Sequence, residues 1–177
     1  MADKPLSFTN CGRSKIEDNT VNNSELRAIL LSTLHYAYQE DEWVPELQET
    51  LSLISVDQAS WKHSPESKSI WEICLHVAVW NDNIIERIET GSKARPIEGN
   101  WPPLPSSLSK EAWNRARVEV VDSANRLYEY LQEVPIEKIE ASPWGIADLT
   151  CRFLHIAYHT GQIVKMIEMA GWSSGCQ

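Results

Sequence analysis

Four prolines fall within residues 91–108, GSKARPIEGNWPPLPSSL. No regular helix runs through such a segment, because proline lacks the backbone donor and its ring collides with the preceding turn. Long stretches of helical period flank it on both sides. Any fold of this chain therefore joins two helices by an extended crossover instead of a tight turn. The upstream helix starts at Ser69, with Glu72 three residues on as a capping-box partner. Its apolar stripe is Ile73, Val77, Trp80, Ile84 and Ile88, and Gly91 stops it. The downstream helix is capped by Ser109, carries Trp113, Ala116, Val120, Ala124, Leu127, Leu131 and Val134 on one seam, and ends before Pro135.

Two further helices complete the pattern. NNSELRAILLSTLHYAY places Leu26, Ile29, Leu30, Thr33, Leu34 and Ala37 on one stripe, with Asn22 and Glu25 spaced as N-cap and capping-box partner. Pro45 interrupts it, so a break is expected near Glu40 to Val44, followed by a second piece, PELQETLSLI, with proline in its first turn. SPESKS reads as a loop. IEKIEASPWGIAD connects to a last helix from about Ala147 to Ala170, closed by Gly171. Convincing strands and internal repeats are absent. Four long amphipathic helices with one long connection describe an all-α four-helix bundle. Residues 1–21 are polar and aperiodic and read as a flexible leader, and residues 22–177 as a single domain.

Composition narrows the function. Hydrophobic residues make up 42% of the 177, enough for a core, and the formal net charge is −9. An acidic chain has no basic excess with which to displace counterions from nucleic acid or an anionic membrane. No apolar run approaches bilayer-spanning length, and the first 25 residues hold no secretory apolar core, so the expected location is cytoplasmic. Cys11, Cys74, Cys151 and Cys176 include no Cys-x-x-Cys pair. Cys74 and Cys151 sit in apolar helical stretches and read as small buried hydrophobes, Cys11 and Cys176 as exposed thiols near the termini. Trp71, Trp80 and Trp113 are at helical spacing and read as core. Trp101 and Trp144, in connections beside prolines, suit the end of the bundle or an interface.

The chemistry-bearing residues are histidines. HIAYHTGQIVKMIEMAGW sets His155 and His159 four apart on a face that also carries Ile156, Ile163 and Met166. Imidazoles one turn apart on a helix can converge on one metal ion. His76 lies mid-helix between Ile73 and Trp80 on an inward stripe. A bundle can bring these three of the five histidines together, and three nitrogen ligands leave an open position of the kind catalytic metal sites keep. Such a set suits zinc, nickel, iron or copper without choosing among them. Gln162 follows His159 by three on the same face. Glu72 could reach the same side but is read as a capping residue. Cys151 lies too far along its helix. His35 sits at a stripe edge, and His63 is in a polar loop. The same histidines could instead be core residues satisfied by hydrogen bonds, with no metal.

SIWEICLHVAVWND, NWPPLPSSLSKEAW and HIAYHTGQI together resemble the DinB-like family of metal-dependent enzymes, the group that includes the YfiT-like proteins. The resemblance covers most of residues 24–172. It implies up-down-down-up connectivity with a long crossover between the second and third helices, and metal ligands at His76, His155 and His159. It also implies nickel or zinc, sometimes iron, and a homodimer. Some members transfer low-molecular-weight thiols such as bacillithiol, and a more distant branch isomerises maleylpyruvate with mycothiol. The leader before residue 22 has no counterpart in the family. The function that follows is a metal-dependent enzyme with thiol S-transferase or hydrolase-like chemistry on a small molecule, possessing one divalent ion and, in the transferase case, a thiol cofactor. The alternative is a non-catalytic metal-binding stress-response or interaction protein, since no general acid or base stands beside the motif.

Overall fold

The computed structural model describes residues 22–38, 46–143 and 145–172. The leader, the break expected at Glu40 to Val44, Pro45, Trp144, Cys11 and Cys176 lie outside the described residues. The described residues form helices and no strands: α1 (Asn23–Tyr38), α2 (Leu47–Ser52), α3 (Val56–Ser60), α4 (Ile70–Thr90), α5 (Lys110–Glu133), α6 (Ile136–Ala141) and α7 (Gly145–Met169). The four long helices pack as a ring of neighbours, α1 against α5 and α7, and α4 against α5 and α7. Leu30 and Leu34, Trp71 and Ile84, Leu127 and Leu131, and Phe153 meet inside it with almost no exposure. Burial of large apolar side chains from every long helix is the main stabilising term.

Local chemistry sets the helix ends. At α1, Asn22 Oδ1 accepts from the Glu25 amide, and Glu25 accepts in return from the Asn22 amide. At α4, Ser69 and Glu72 form the reciprocal pair that their spacing predicts, and Gly91 closes the helix with φ of 67°. Ser109 caps α5. The last carbonyls of α5 are satisfied from another helix: the Arg27 guanidinium donates to Leu131 O and, at 2.7 Å, to Val134 O. Trp113 packs on Trp71 and donates its indole hydrogen to Ile54 O at 2.9 Å, which pins the α2–α3 turn to α5.

Several expectations change. The piece after Pro45 is helical as α2, and an unexpected short helix, α3, follows it, because Ser55 and Gln58 form a capping box that restarts the helix. Residues 136–141 are helical as α6, with Ile136 and Ile139 buried. The last helix starts at Gly145, two residues earlier than its apolar pattern suggests. Ile29 is 51% exposed, on the flank of its stripe. Cys151 is exposed, because it lies about 200° around α7 from the fully buried Phe153.

The crossover is not helical, but it is bound to α4. Ala94 O accepts from Arg87 Nε at 2.7 Å and from Asn83 Nδ2 at 3.3 Å, and Asn100 is held further back along the same helix. The crossover is thus anchored to side chains of α4, the helix that Ser69 caps. We expect Ser69→Ala to lower the unfolding free energy by about 1–2 kcal/mol, and Ser107→Ala, exposed in the crossover, to change it by less than about 0.5 kcal/mol, as read from urea denaturation.

Candidate metal centre

His76 is carried inward by the buried stripe of α4, and His155 and His159 by the inner face of α7. Because α4 and α7 are neighbours, the three rings meet. Centroids are 5.3 Å apart for His76 and His155, 4.8 Å for His76 and His159, and 4.4 Å for His155 and His159. One nitrogen from each lies within 4.8 Å of the others. His76 and His159 are buried, at 3% and 4% exposure, and His155 is half-buried.

Hydrogen bonds decide which nitrogens face inward. His76 Nδ1 lies 2.5 Å from the backbone carbonyl of Asn100, so it carries the hydrogen and donates. His159 Nδ1 lies 2.7 Å from Gln162 Oε1 and donates likewise; Gln162 is oriented by donating its own Nε2 hydrogen to Tyr158 Oη at 2.9 Å. Both rings therefore present an Nε2 lone pair to the centre. His76 Nε2 is buried without a hydrogen-bond partner among the described residues. Leaving such an acceptor unsatisfied costs about 1–3 kcal/mol. His155 Nε2 and His159 Nε2 are 3.0 Å apart. Nitrogens on a tetrahedral zinc ion sit roughly 3.3 Å from one another, so an orphaned lone pair facing this pair fits a first-row divalent ion. Imidazoles that donate their second nitrogen to a fixed oxygen are the form metal ligands take.

The crossover forms the wall. Trp101 stacks on His76 with centroids 4.0 Å apart and planes 16° from parallel, and the Lys68 ammonium lies 4.9 Å from its ring centre. Trp80 donates to Asn100 Oδ1 at 2.9 Å, fixing the residue whose carbonyl holds His76. Trp80 is half-buried, with the Arg87 and Arg152 guanidinium carbons 5.5 and 5.7 Å from its ring centre, and so lines the site instead of the core. Trp101 covers a histidine, where its sequence neighbours suggest the end of the bundle or an interface. Asn100 acts through its backbone carbonyl, for which the sequence carries no signal.

The rival ligands fall elsewhere. Glu72 is occupied by the Ser69 amide and hydroxyl and by the Lys62 and Lys68 ammonium groups at 2.7 and 3.2 Å. Burial pushes its carboxyl up, but the hydrogen bonds from Lys62, Ser69 and Lys68 outweigh this and hold it at about 2. The group of described residues placed to share an ion is His76, His155 and His159, without Cys151 or His35. His63 is exposed, as its loop suggests.

Burial lowers the pKa of all three histidines. For His76, the Asn100 carbonyl opposes this and Lys68 adds to it; for His155, the charges of His76 and Arg152 add to it. For His159, the His155 charge adds to burial, Gln162 opposes both, and the value falls to about 4. The cluster is thus held neutral, the state in which imidazole binds metal.

A family model described as the DinB superfamily matches residues 40–163, more than half of the chain and including all three histidines. No curated protein and no solved structure matches the chain.

In metal-free protein, a histidine-labelled NMR titration should place the His159 pKa at about 4, below the ordinary 6.5; a value near 6.5 would contradict the burial of the cluster. The unfolded chain takes up the proton first as the pH falls. The metal-free fold therefore has its full stability above pH 6.5 and loses up to about 3 kcal/mol to His159 as the pH drops from 6.5 to about 4.

Proposed function

Because the chain belongs to the DinB superfamily, we propose that it is a metal-dependent enzyme that holds one divalent transition ion on His76, His155 and His159 and acts on a small molecule by thiol S-transfer or hydrolase-like chemistry. The observation that carries this reading is the buried, unpartnered Nε2 of His76 aimed at two further imidazole nitrogens. An all-nitrogen donor set favours a transition ion over calcium or magnesium, and the family resemblance puts nickel or zinc ahead of iron. Such an ion supplies Lewis acidity toward a thiol or a water.

The chain's own residues do the positioning. Asn100 and Gln162 fix the rings of His76 and His159 and keep their hydrogens on Nδ1. Trp101 shields His76 from water on the crossover side. His155, half-buried, leaves its side of the cluster as the approach for a substrate. Tyr158 is 60% exposed and bonded to Gln162, so it stands between solvent and the cluster. The reading includes the up-down-down-up connectivity, supported by the ring of four long helices and the long α4–α5 crossover. It also includes a homodimer, supported by large apolar side chains left exposed on the neighbouring helices α1 (Ile29, Tyr36) and α7 (Leu154, Tyr158).

A second reading, a non-catalytic metal-binding stress-response or interaction protein, is favoured by one feature: the group placed to share an ion holds histidines and no carboxylate among the described residues. The two separate on one set of proteins. Untagged wild type, purified without added metal or chelator, is expected to hold about one equivalent of nickel, zinc or iron by elemental analysis. The His76→Ala, His155→Ala and His159→Ala variants are each expected to lose most of it. In a screen of low-molecular-weight thiols against electrophilic acceptors, turnover should disappear with the metal in the same variants. A His155→Ala protein with full metal and full turnover would overturn the enzyme reading. Metal that stabilises the fold in a protein inactive throughout would favour the second.

A further inference from the structure

The three imidazoles are not held alike. His76 and His159 each have an oxygen for their Nδ1 hydrogen, Asn100 O and Gln162 Oε1. His155 meets its neighbour through Nε2, and no hydrogen bond runs from its Nδ1 to another described residue. Once Nε2 of an imidazole is given to a metal, its hydrogen must sit on Nδ1, where it needs an acceptor.

An acceptor without a donor lies next to it. Asn81 of α4 is 1% exposed, and its Oδ1 is buried with no partner among the described residues. As placed, its amide turns Nδ2 toward α1 and α5. Ser123 gives its hydroxyl hydrogen to Val120 O at 2.8 Å, so Ser123 Oγ must accept from Asn81 Nδ2, at 2.9 Å. Nδ2 also donates to Tyr38 Oη, at 2.5 Å. Both Nδ2 hydrogens are thus committed to α1 and α5. Between α4 and α7, Asn81, Trp80, Arg152, His155 and Ile156 line a cavity of about 10 Å³, counted as room for the centre of a water. That is space for a single water, with Asn81 and His155 both on its wall.

We propose that Asn81 is the positioning residue for His155, with its Oδ1 joined to His155 Nδ1 through one water held in this cavity. The proposal rests on the metal reading above. One water serves both states of the site. Without metal, His159 keeps its hydrogen on Nδ1, so His155 carries its own on Nε2 and donates across the 3.0 Å contact; its Nδ1 then accepts from the water. With metal, the single hydrogen of neutral His155 is on Nδ1 and is donated to the water. In both states the water donates another hydrogen to Asn81 Oδ1. The imidazole gains and loses no net proton in the change. Each ligand then has an oxygen behind it, from the crossover for His76, from α7 for His159 and from α4 for His155. This also gives a buried polar side chain in the middle of an apolar stripe a task that a leucine could not perform.

Zinc affinity by chelator competition tests this in wild type, Asn81→Leu and Ile84→Val, the last trimming the same cavity without touching the acceptor. Asn81→Leu is expected to weaken zinc binding about 10–100-fold and Ile84→Val to leave it unchanged. A second readout needs no variant. In zinc-loaded, ¹⁵N-histidine-labelled wild type, the Nδ1 hydrogens of His155, His76 and His159 should all be visible and slow to exchange. Equal zinc affinity in Asn81→Leu and wild type, or a His155 Nδ1 hydrogen that exchanges at once while the other two persist, would overturn the proposal and leave the metal reading standing. A wild type that takes up no zinc would overturn both.

Discussion

The hydrogen bond from His76 to the carbonyl of Asn100 is the constraint on which the site depends. It joins the middle of α4 to a segment that four prolines keep out of any helix. It puts the ring hydrogen on Nδ1 and so leaves the lone pair on the buried Nε2. With it, the Nε2 lone pair faces His155 and His159, and the crossover is drawn down so that Trp101 lies flat on the ring. The bond to Trp80 at 2.9 Å makes Asn100 a rigid bracket between two side chains one turn apart on the same helix. The long crossover therefore acts as the outer wall of the cluster as well as a connection.

Burying three imidazoles against one another works against the fold. Each ring is desolvated, and the protonated form of any one repels the others. The ring of long helices carries that cost with its apolar interior, in which Trp71, Phe153 and a set of leucines and isoleucines are almost wholly buried. Well-satisfied helix ends support it, notably the Ser69–Glu72 box that sets the start of the helix bearing His76. A local conflict of this type, a polar cluster with an orphaned acceptor inside an otherwise consistent core, marks a functional site more often than a structural one.

The parts legible in the sequence are those encoded by side-chain spacing. The Ser69, Ser109 and Asn22 caps stand where their partners' spacing puts them, and the all-helical class follows from the period of the stripes. His76, His155 and His159 can be singled out because each falls on an inward stripe, and the structure brings them together. What was illegible depends on backbone atoms or on angles at a stripe's edge. Asn100 holds His76 through a carbonyl that every residue type possesses. Trp80 and Ile29 lie on the flanks of their stripes, where a shift of one helical position separates core from surface. Cys151 has apolar neighbours in sequence but points away from the face that Phe153 buries. The helix α6 is only six residues, too short for its two isoleucines to establish a period.

If the three Nε2 atoms form one metal site, anomalous X-ray diffraction at the absorption edge of the bound metal will locate the ion among them. A single strong peak is predicted between α4 and α7, with three imidazole nitrogens about 2.0–2.1 Å away, His76 still bonded to Asn100 and Trp101 still stacked on it. An anomalous peak at surface carboxylates, or none near His76 in crystals soaked with zinc or nickel, would contradict it.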